Sequence, residues 1–172
     1  QEAALPELER LRLQLQQPSK KGWFRKPGPA PRGIYFWGGV GRGKSILMDM
    51  FARSMGASVR RMDFHAFMEE VHSGSARAKA QGTVDAIQPV AREMADGITC
   101  LAFDEMQITD ITDAMLVGRL FKALFEAGIA IVATSNRHPN DLYKNGLNRQ
   151  LFLHFIALLQ PCLLYNFDDA DH

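Results

Sequence analysis

Eight consecutive residues, Gly38, Gly39, Val40, Gly41, Arg42, Gly43, Lys44 and Ser45, fit the pattern GxxxxGK[ST]. Glycines let a loop curl until several backbone N–H groups point inward at phosphate oxygens. A helix opening at the end of the loop adds the positive end of its dipole to the same anion. In that setting Lys44 reaches the β- and γ-phosphates of a nucleoside triphosphate, and the Ser45 hydroxyl holds Mg²⁺. The pattern follows an apolar run, Gly33–Trp37, and opens a run, Lys44–Met55, with Ile46, Leu47, Met50 and Phe51 at helical spacing. This strand, loop and helix context separates it from a mere glycine turn. ATP and Mg²⁺ are the implied ligands.

Three further groups complete a hydrolytic set. The run Ile98–Phe103 ends in Asp104 and Glu105, and ligands of open α/β sheets bind at strand C-termini. Asp104 is expected to accept from a Mg²⁺-bound water and orient the metal. Glu105 is expected to polarise the attacking water as general base. Two solvated acids are the alternative, disfavoured behind an apolar strand and downstream of a phosphate loop. The next apolar run, Ile129–Thr134, leads into Ser135 and Asn136. An amide at that tip can bond both the water and the γ-phosphate; a simple strand-ending turn is the bland reading. Phosphoryl transfer also gains ~10³–10⁵ in rate from a finger arginine. Arg119 lies mid-helix, Arg137 follows Asn136, and Arg149 lies beyond the Gly146 break near a helix start. Arg149 is favoured, aimed at a neighbouring subunit.

The elements that must position these groups alternate along the chain. Residues 3–17 read as a helix, with Pro6 tolerated in its first turn. Residues 18–32 are basic and proline-rich, around Trp23 and Phe24. They read as a solvated connector or, more sharply, as a contact surface for a partner, anionic lipid or nucleic acid. Val59–Phe64 is a second strand; His65–His72 and Val84–Met94 are helical. Asp110 caps a helix over Ile111–Glu126, with Asp113 completing a capping box, and Gly128 stops it. Leu147–Leu159 is helical and Cys162–Phe167 is a last strand. Apolar strands separated by helices imply a parallel sheet covered on both faces. The expected class is therefore α/β, a three-layer P-loop sandwich. Residues 1–32 form an N-terminal helix and connector, and residues 33–172 the nucleotide-binding core.

Bulk properties narrow the partners. The chain has 172 residues, 47% hydrophobic and 23% charged, with a formal net charge of +1. That balance disfavours a dedicated electrostatic nucleic-acid binder, and no nucleic acid is expected. Cys100 and Cys162 lie in apolar runs without metal-ligand spacing, as buried thiols of a reducing compartment. No stretch approaches the ~20 apolar residues of a membrane span, and no signal peptide precedes the first helix, so the cytoplasm is the default location.

With these residues placed, the sequence resembles the ZapE cell-division family of AAA+ ATPases, the AFG-like ATPases, which have mitochondrial relatives. The matching stretches are Gly33–Ser45, Phe64–Met68 with Val71 and His72, Phe103–Met115, Ala133–Arg137, Asp141–Arg149 and Phe152–Ile156. The resemblance implies an ATP-hydrolysing ring or transient oligomer with Arg149 acting in trans. It implies remodelling of a protein partner, in bacteria the division-ring protein FtsZ; for mitochondrial relatives it implies respiratory-complex turnover. From the resemblance, His is expected where Asp63 stands, Phe where Met106 stands and Pro where His154 stands. AAA+ proteins also add a helical lid carrying a further arginine, for which no stretch here reads. A P-loop small-molecule kinase lacks support, because no arginine-rich lid follows Ile129 and a base aimed at water would waste ATP. A DNA-associated AAA+ loader shares the hydrolytic set and is disfavoured by charge and by the lack of a helix-turn-helix. A catalytically dead binding module is disfavoured because every hydrolytic residue type is present.

Overall fold

The computed structural model describes residues 5–16, 33–38, 42–136 and 163–166. In chain order these form α1 (Leu5–Gln16), β1 (Ile34–Trp37), α2 (Arg42–Met55), β2 (Val59–Asp63), α3 (Phe64–Ala80), α4 (Ile87–Ala95), β3 (Cys100–Asp104), α5 (Ile111–Glu126), β4 (Ala130–Ser135) and β5 (Leu163–Asn166). The five strands make one sheet in the order β2-β3-β4-β1-β5. Every neighbouring pair is parallel.

The period-2 alternation of a strand divides the core into two. Ile34, Phe36, Cys100, Ala102, Ala130 and Val132 face α1 and α2, where Leu8, Leu11, Leu47, Met48, Phe51 and Met55 meet them. Tyr35, Leu101, Phe103, Ile131 and Ala133 face α3, α4 and α5. The expected three-layer sandwich is what forms. On the second face Phe67 packs against Phe103 with ring centroids 4.4 Å apart, and Phe103 stacks on Phe121 at 5.8 Å. Such pairs contribute about 0.5–1.5 kcal/mol each beyond their burial, and they brace the strand that ends in Asp104.

Helix boundaries follow local chemistry, which corrects two sequence expectations. Asp63 caps α3, its carboxylate accepting from His65 N at 2.8 Å and Ala66 N at 3.4 Å. The acid at this position thus serves the backbone. α3 runs on past His72 to Ala80. Ser73, Gly74 and Ser75 look like a break in sequence, but Gly74 is a packing point: a Cβ there would lie 3.1 Å from Val90 Cγ2 of α4. α4 begins at Ile87 rather than Val84. Pro89 explains the shift, because proline fits only a first turn, where N–H groups lack helical acceptors. Asp85 accepts the Ile87 N–H at 3.0 Å.

α5 spans the predicted residues, with Asp110 accepting from Thr112 N at 2.7 Å and Asp113 N at 3.3 Å. The capping box is only half made, since the Asp113 carboxylate faces His72 Nε2 at 3.0 Å. Gly128, at φ 84°, turns the chain into β4.

One close approach fixes the entry to β1. A Cβ on Gly33 would lie 2.0 Å from the backbone oxygen of Ile131, inside any allowed contact. Gly33→Ala must push β1 away from β4, at a cost of about 1–3 kcal/mol or more. A thermal melt should show Tm lower by roughly 2–12 °C, at 2–4 °C per kcal/mol for a domain of this size.

Candidate nucleotide site

The candidate phosphate loop begins at Gly38, after the C-terminal end of β1. Gly38 is buried, and its N–H donates to Ser135 O at 3.2 Å, which ties the start of the loop to the tip of β4. Gly39, Val40 and Gly41 lie outside the described residues. The chain resumes at Arg42, where α2 begins, and Gly43 is buried at its start. Lys44 is only 5% exposed. Its Nζ donates to Gly38 O at 3.1 Å, so the ammonium is held across the base of the loop. Ser45 is exposed in the first turn of α2. Lysine and serine therefore sit at the positive end of a helix directly behind the loop.

The acids end β3, which is separated from β1 by β4 alone. Backbone and hydroxyl groups stitch these strand tips together. Glu105 N donates to Thr134 Oγ1 at 3.1 Å, Met106 N to Thr134 O at 2.8 Å, and Ser135 Oγ to Met106 O at 3.0 Å. Thr134 and Ser135 are both buried, so these bonds form away from water and define the loop after β3 tightly. Met106 is buried in the core beneath that loop. Glu105 itself is exposed and takes φ 54°, the left-handed region that non-glycine residues avoid. Asn136 follows β4 directly and is exposed at the same edge of the sheet.

Sequence reasoning missed one participant. Arg61 of β2 lies beside Asp104, with Nε at 2.8 Å and a terminal nitrogen at 2.7 Å from the same oxygen, Oδ2. Its other terminal nitrogen pairs with Asp49 of α2. The available signal was a charged residue inside a strand that borders a buried neighbour.

Two ionisable groups of the sheet are held neutral. Burial pushes the Tyr35 phenol well above its usual range, against an opposing hydrogen bond with Ser135. Burial does the same to the Cys100 thiol, a buried strand cysteine as expected. Cys162 and the basic segment 18–32 lie outside the described residues, as do the expected helix Leu147–Leu159, His154, Arg137 and Arg149. Arg119, the remaining finger candidate, is an exposed side chain paired with Asp85 at 3.2 Å. His65 is exposed beside Glu69 at 3.4 Å. With His72, Gln107 and Asp113 it lines a cleft of about 420 Å³ that Glu105 borders.

The donor set fits Mg²⁺. Asp104 Oδ1 is buried without a hydrogen-bond partner while Oδ2 is fully engaged. A carboxylate oxygen in that condition is costly unless it serves a ligand. Hard oxygen donors, one carboxylate and one hydroxyl beside substrate phosphates, match the ion's preference. Asp104, through water, and Ser45 are the residues that would hold it.

A parallel sheet in this order, with Lys44 and Ser45 opening the helix after β1 and acids at the tip of β3, is the fold of an α/β P-loop protein of the AAA+ type. The chain belongs to the AFG1-like ATPase family, whose sequence pattern matches residues 1–164. It is 48% identical over 139 residues to the cell division protein ZapE of Escherichia coli K12, covering 80% of this chain and 36% of that protein. It is 41% identical over 154 residues to lactation elevated protein 1 homolog B of Danio rerio, covering 83% and 30%. The chain thus spans about a third of the length of these curated relatives.

Among solved structures, DnaI superposes with a TM-score of 0.63 at 14% identity, covering 95% of this chain and 82% of that one. Domain III of Thermotoga maritima DnaA superposes at 0.60 and 15% identity, covering 95% and 61%. At those identities the likeness is one of fold. Among the described residues, no helix is long and apolar enough to cross a membrane.

Proposed function

We propose that this chain is the nucleotide-hydrolysing core of a Mg²⁺-dependent AAA+ ATPase that remodels a protein partner. The observation that carries the reading is the convergence of Lys44, Asp104, Glu105 and Asn136 at one edge of the sheet. There Thr134 and Ser135 lock the tips of β1, β3 and β4 to one another. In this reading residues 33–172 form the core, and residues 1–32 an N-terminal helix and connector.

Each residue has a role that its position permits. The loop Gly38–Gly43 cradles the phosphates with backbone N–H groups, and Lys44 binds the β- and γ-phosphates. Bound Mg²⁺ neutralises phosphate charge in the transition state. Asp104 and Ser45 fix where that charge is delivered. Glu105 takes the proton of the attacking water, and Asn136 orients that water against the γ-phosphate. Glu105 is solvent-facing, which suits a base that must return its proton after each turnover.

The partner reading rests on the family. A relative named as a cell division protein supports a division-linked partner, and within that class FtsZ is the partner proposed, in a bacterial cytoplasm. A mitochondrial setting applies if the chain comes from a eukaryote. The basic segment 18–32 is the proposed site of any peripheral membrane contact. The active site is shared between subunits of a homo-oligomer, with Arg149 reaching the neighbour's γ-phosphate and no nucleic acid required.

The test is ATPase rate per subunit against protein concentration, on this chain and on one extended to its relatives' length. The specific rate should rise with concentration, and Arg149→Ala should lower it about 10³-fold or more. A flat rate that Arg149→Ala leaves unchanged would mean a self-contained monomeric site.

A further inference from the structure

Arg61, Asp104 and Asp49 form a relay across three elements. The Arg61 guanidinium, 23% exposed, reaches from β2 to the tip of β3 and to α2. A structural arginine–carboxylate pair ordinarily engages both carboxylate oxygens in a fork. Here two N–H groups converge on Oδ2 alone. Oδ1 stays buried and unpartnered. The third arm of the guanidinium is taken by Asp49, so the arginine cannot swing to cover Oδ1 without breaking that pair. Asp49 lies four residues after Ser45, on the same face of α2. The helix that offers the metal-side hydroxyl therefore also anchors the arginine that sets the metal-side acid.

We infer that Arg61 is a positioning residue for magnesium: it fixes the Asp104 carboxylate so that Oδ1 is presented to a Mg²⁺-bound water, and Asp49 holds Arg61 in place. The inference rests on the reading of Asp104 as the metal-side acid. In this inference the effect of Arg61 passes through Asp104, the acid its guanidinium contacts.

The experiment is a Mg²⁺ titration of protein loaded with a fluorescent ATP analogue, with analogue affinity measured in EDTA as the metal-free reference. Four variants are compared with the parent chain: Arg61→Gln, Arg61→Lys, Asp49→Asn and Asp104→Asn. Removing a residue that orients a metal ligand costs about 10–100-fold in metal affinity. Arg61→Gln should raise the Mg²⁺ midpoint by that factor and leave the affinity in EDTA unchanged. Asp49→Asn should move the midpoint the same way by less. Arg61→Lys should recover part of the loss, because an ammonium reaches one acid and not both.

A merely structural salt bridge would weaken analogue binding equally with and without metal, or lower Tm alone. Either result overturns the inference. A midpoint unchanged in Arg61→Gln while Asp104→Asn shifts it also overturns it and leaves the metal site standing. A midpoint unchanged in Asp104→Asn removes the underlying assignment itself. Should Arg61→Gln fail to fold, Asp49→Asn and Arg61→Lys carry the same comparison.

Discussion

Lys44→Ala should abolish turnover and weaken ATP binding roughly 10–150-fold. The range follows from the loss of charge-assisted hydrogen bonds to phosphate, worth about 1.5–3 kcal/mol, at about 1.4 kcal/mol per decade. Geometry makes the loss hard to repair. The Nζ is already set against Gly38 O at 3.1 Å, and Lys44 is 95% buried by side-chain and backbone neighbours taken together, its exposure being 5%. Calorimetry with a non-hydrolysable analogue measures the binding loss, and phosphate release measures turnover. A thermal melt separates either from unfolding. Wild-type ATPase in this variant would remove the loop from the mechanism.

Glu105→Gln should have the second large effect, with ATP binding retained and hydrolysis reduced about 10²–10⁴-fold, the usual contribution of a positioned general base. The amide keeps shape and hydrogen-bonding reach but cannot take a proton. Single-turnover phosphate release, with analogue affinity alongside, checks both halves of the expectation. The backbone at this residue sharpens the test. Glu105 takes φ 54°, at a cost of roughly 1–2 kcal/mol for a residue with a Cβ. Glu105→Gly should be as inactive as Glu105→Gln. It should also be more stable by about 0.5–1 kcal/mol once the greater freedom of an unfolded glycine is subtracted. A variant that gains Tm as it loses turnover would show strain retained for chemistry. If Glu105→Gly instead melts lower, Thr134 and Ser135 need the glutamate side chain to hold their loop.

What could be read in advance was set by local rules. The GxxxxGK[ST] pattern is contiguous, so spacing alone singles out its glycines, lysine and serine as candidates. β3 and β4 are short apolar runs ended by polar residues, and both appear where their hydrophobicity ends. Asp110 announced α5 because an N-cap acts on the next three residues. Boundaries governed by partners were not legible. Ser73–Ser75 carry the composition of a break, and only the neighbouring Val90 shows why Gly74 belongs inside a helix. Asp113 had a local reading, the capping box, which lost to His72, 41 residues away in sequence. Arg61 and Asp49 escaped for the same reason. Their partner Asp104 lies 43 residues beyond Arg61, and nothing in the spacing of 49, 61 and 104 reveals that β2, β3 and α2 meet at one corner.

The strand order also dictates when the phosphate site can exist during synthesis. Among the described strands β1 is made first, yet its two sheet neighbours are made last: Ile34–Trp37 pair with Val132–Ser135 on one side and with Leu163–Asn166 on the other. At about 5–20 residues per second, the apolar segment before the loop waits roughly 5–20 s for its first partner strand and several seconds more for its second. Throughout that interval a nascent chain displays an unpaired β edge of Ile, Tyr, Phe and Trp, the kind of template that recruits other chains. The strand that leads into the loop is thus fixed from both sides only when Leu163–Asn166 has been made, so the strand order sets how late the site can close.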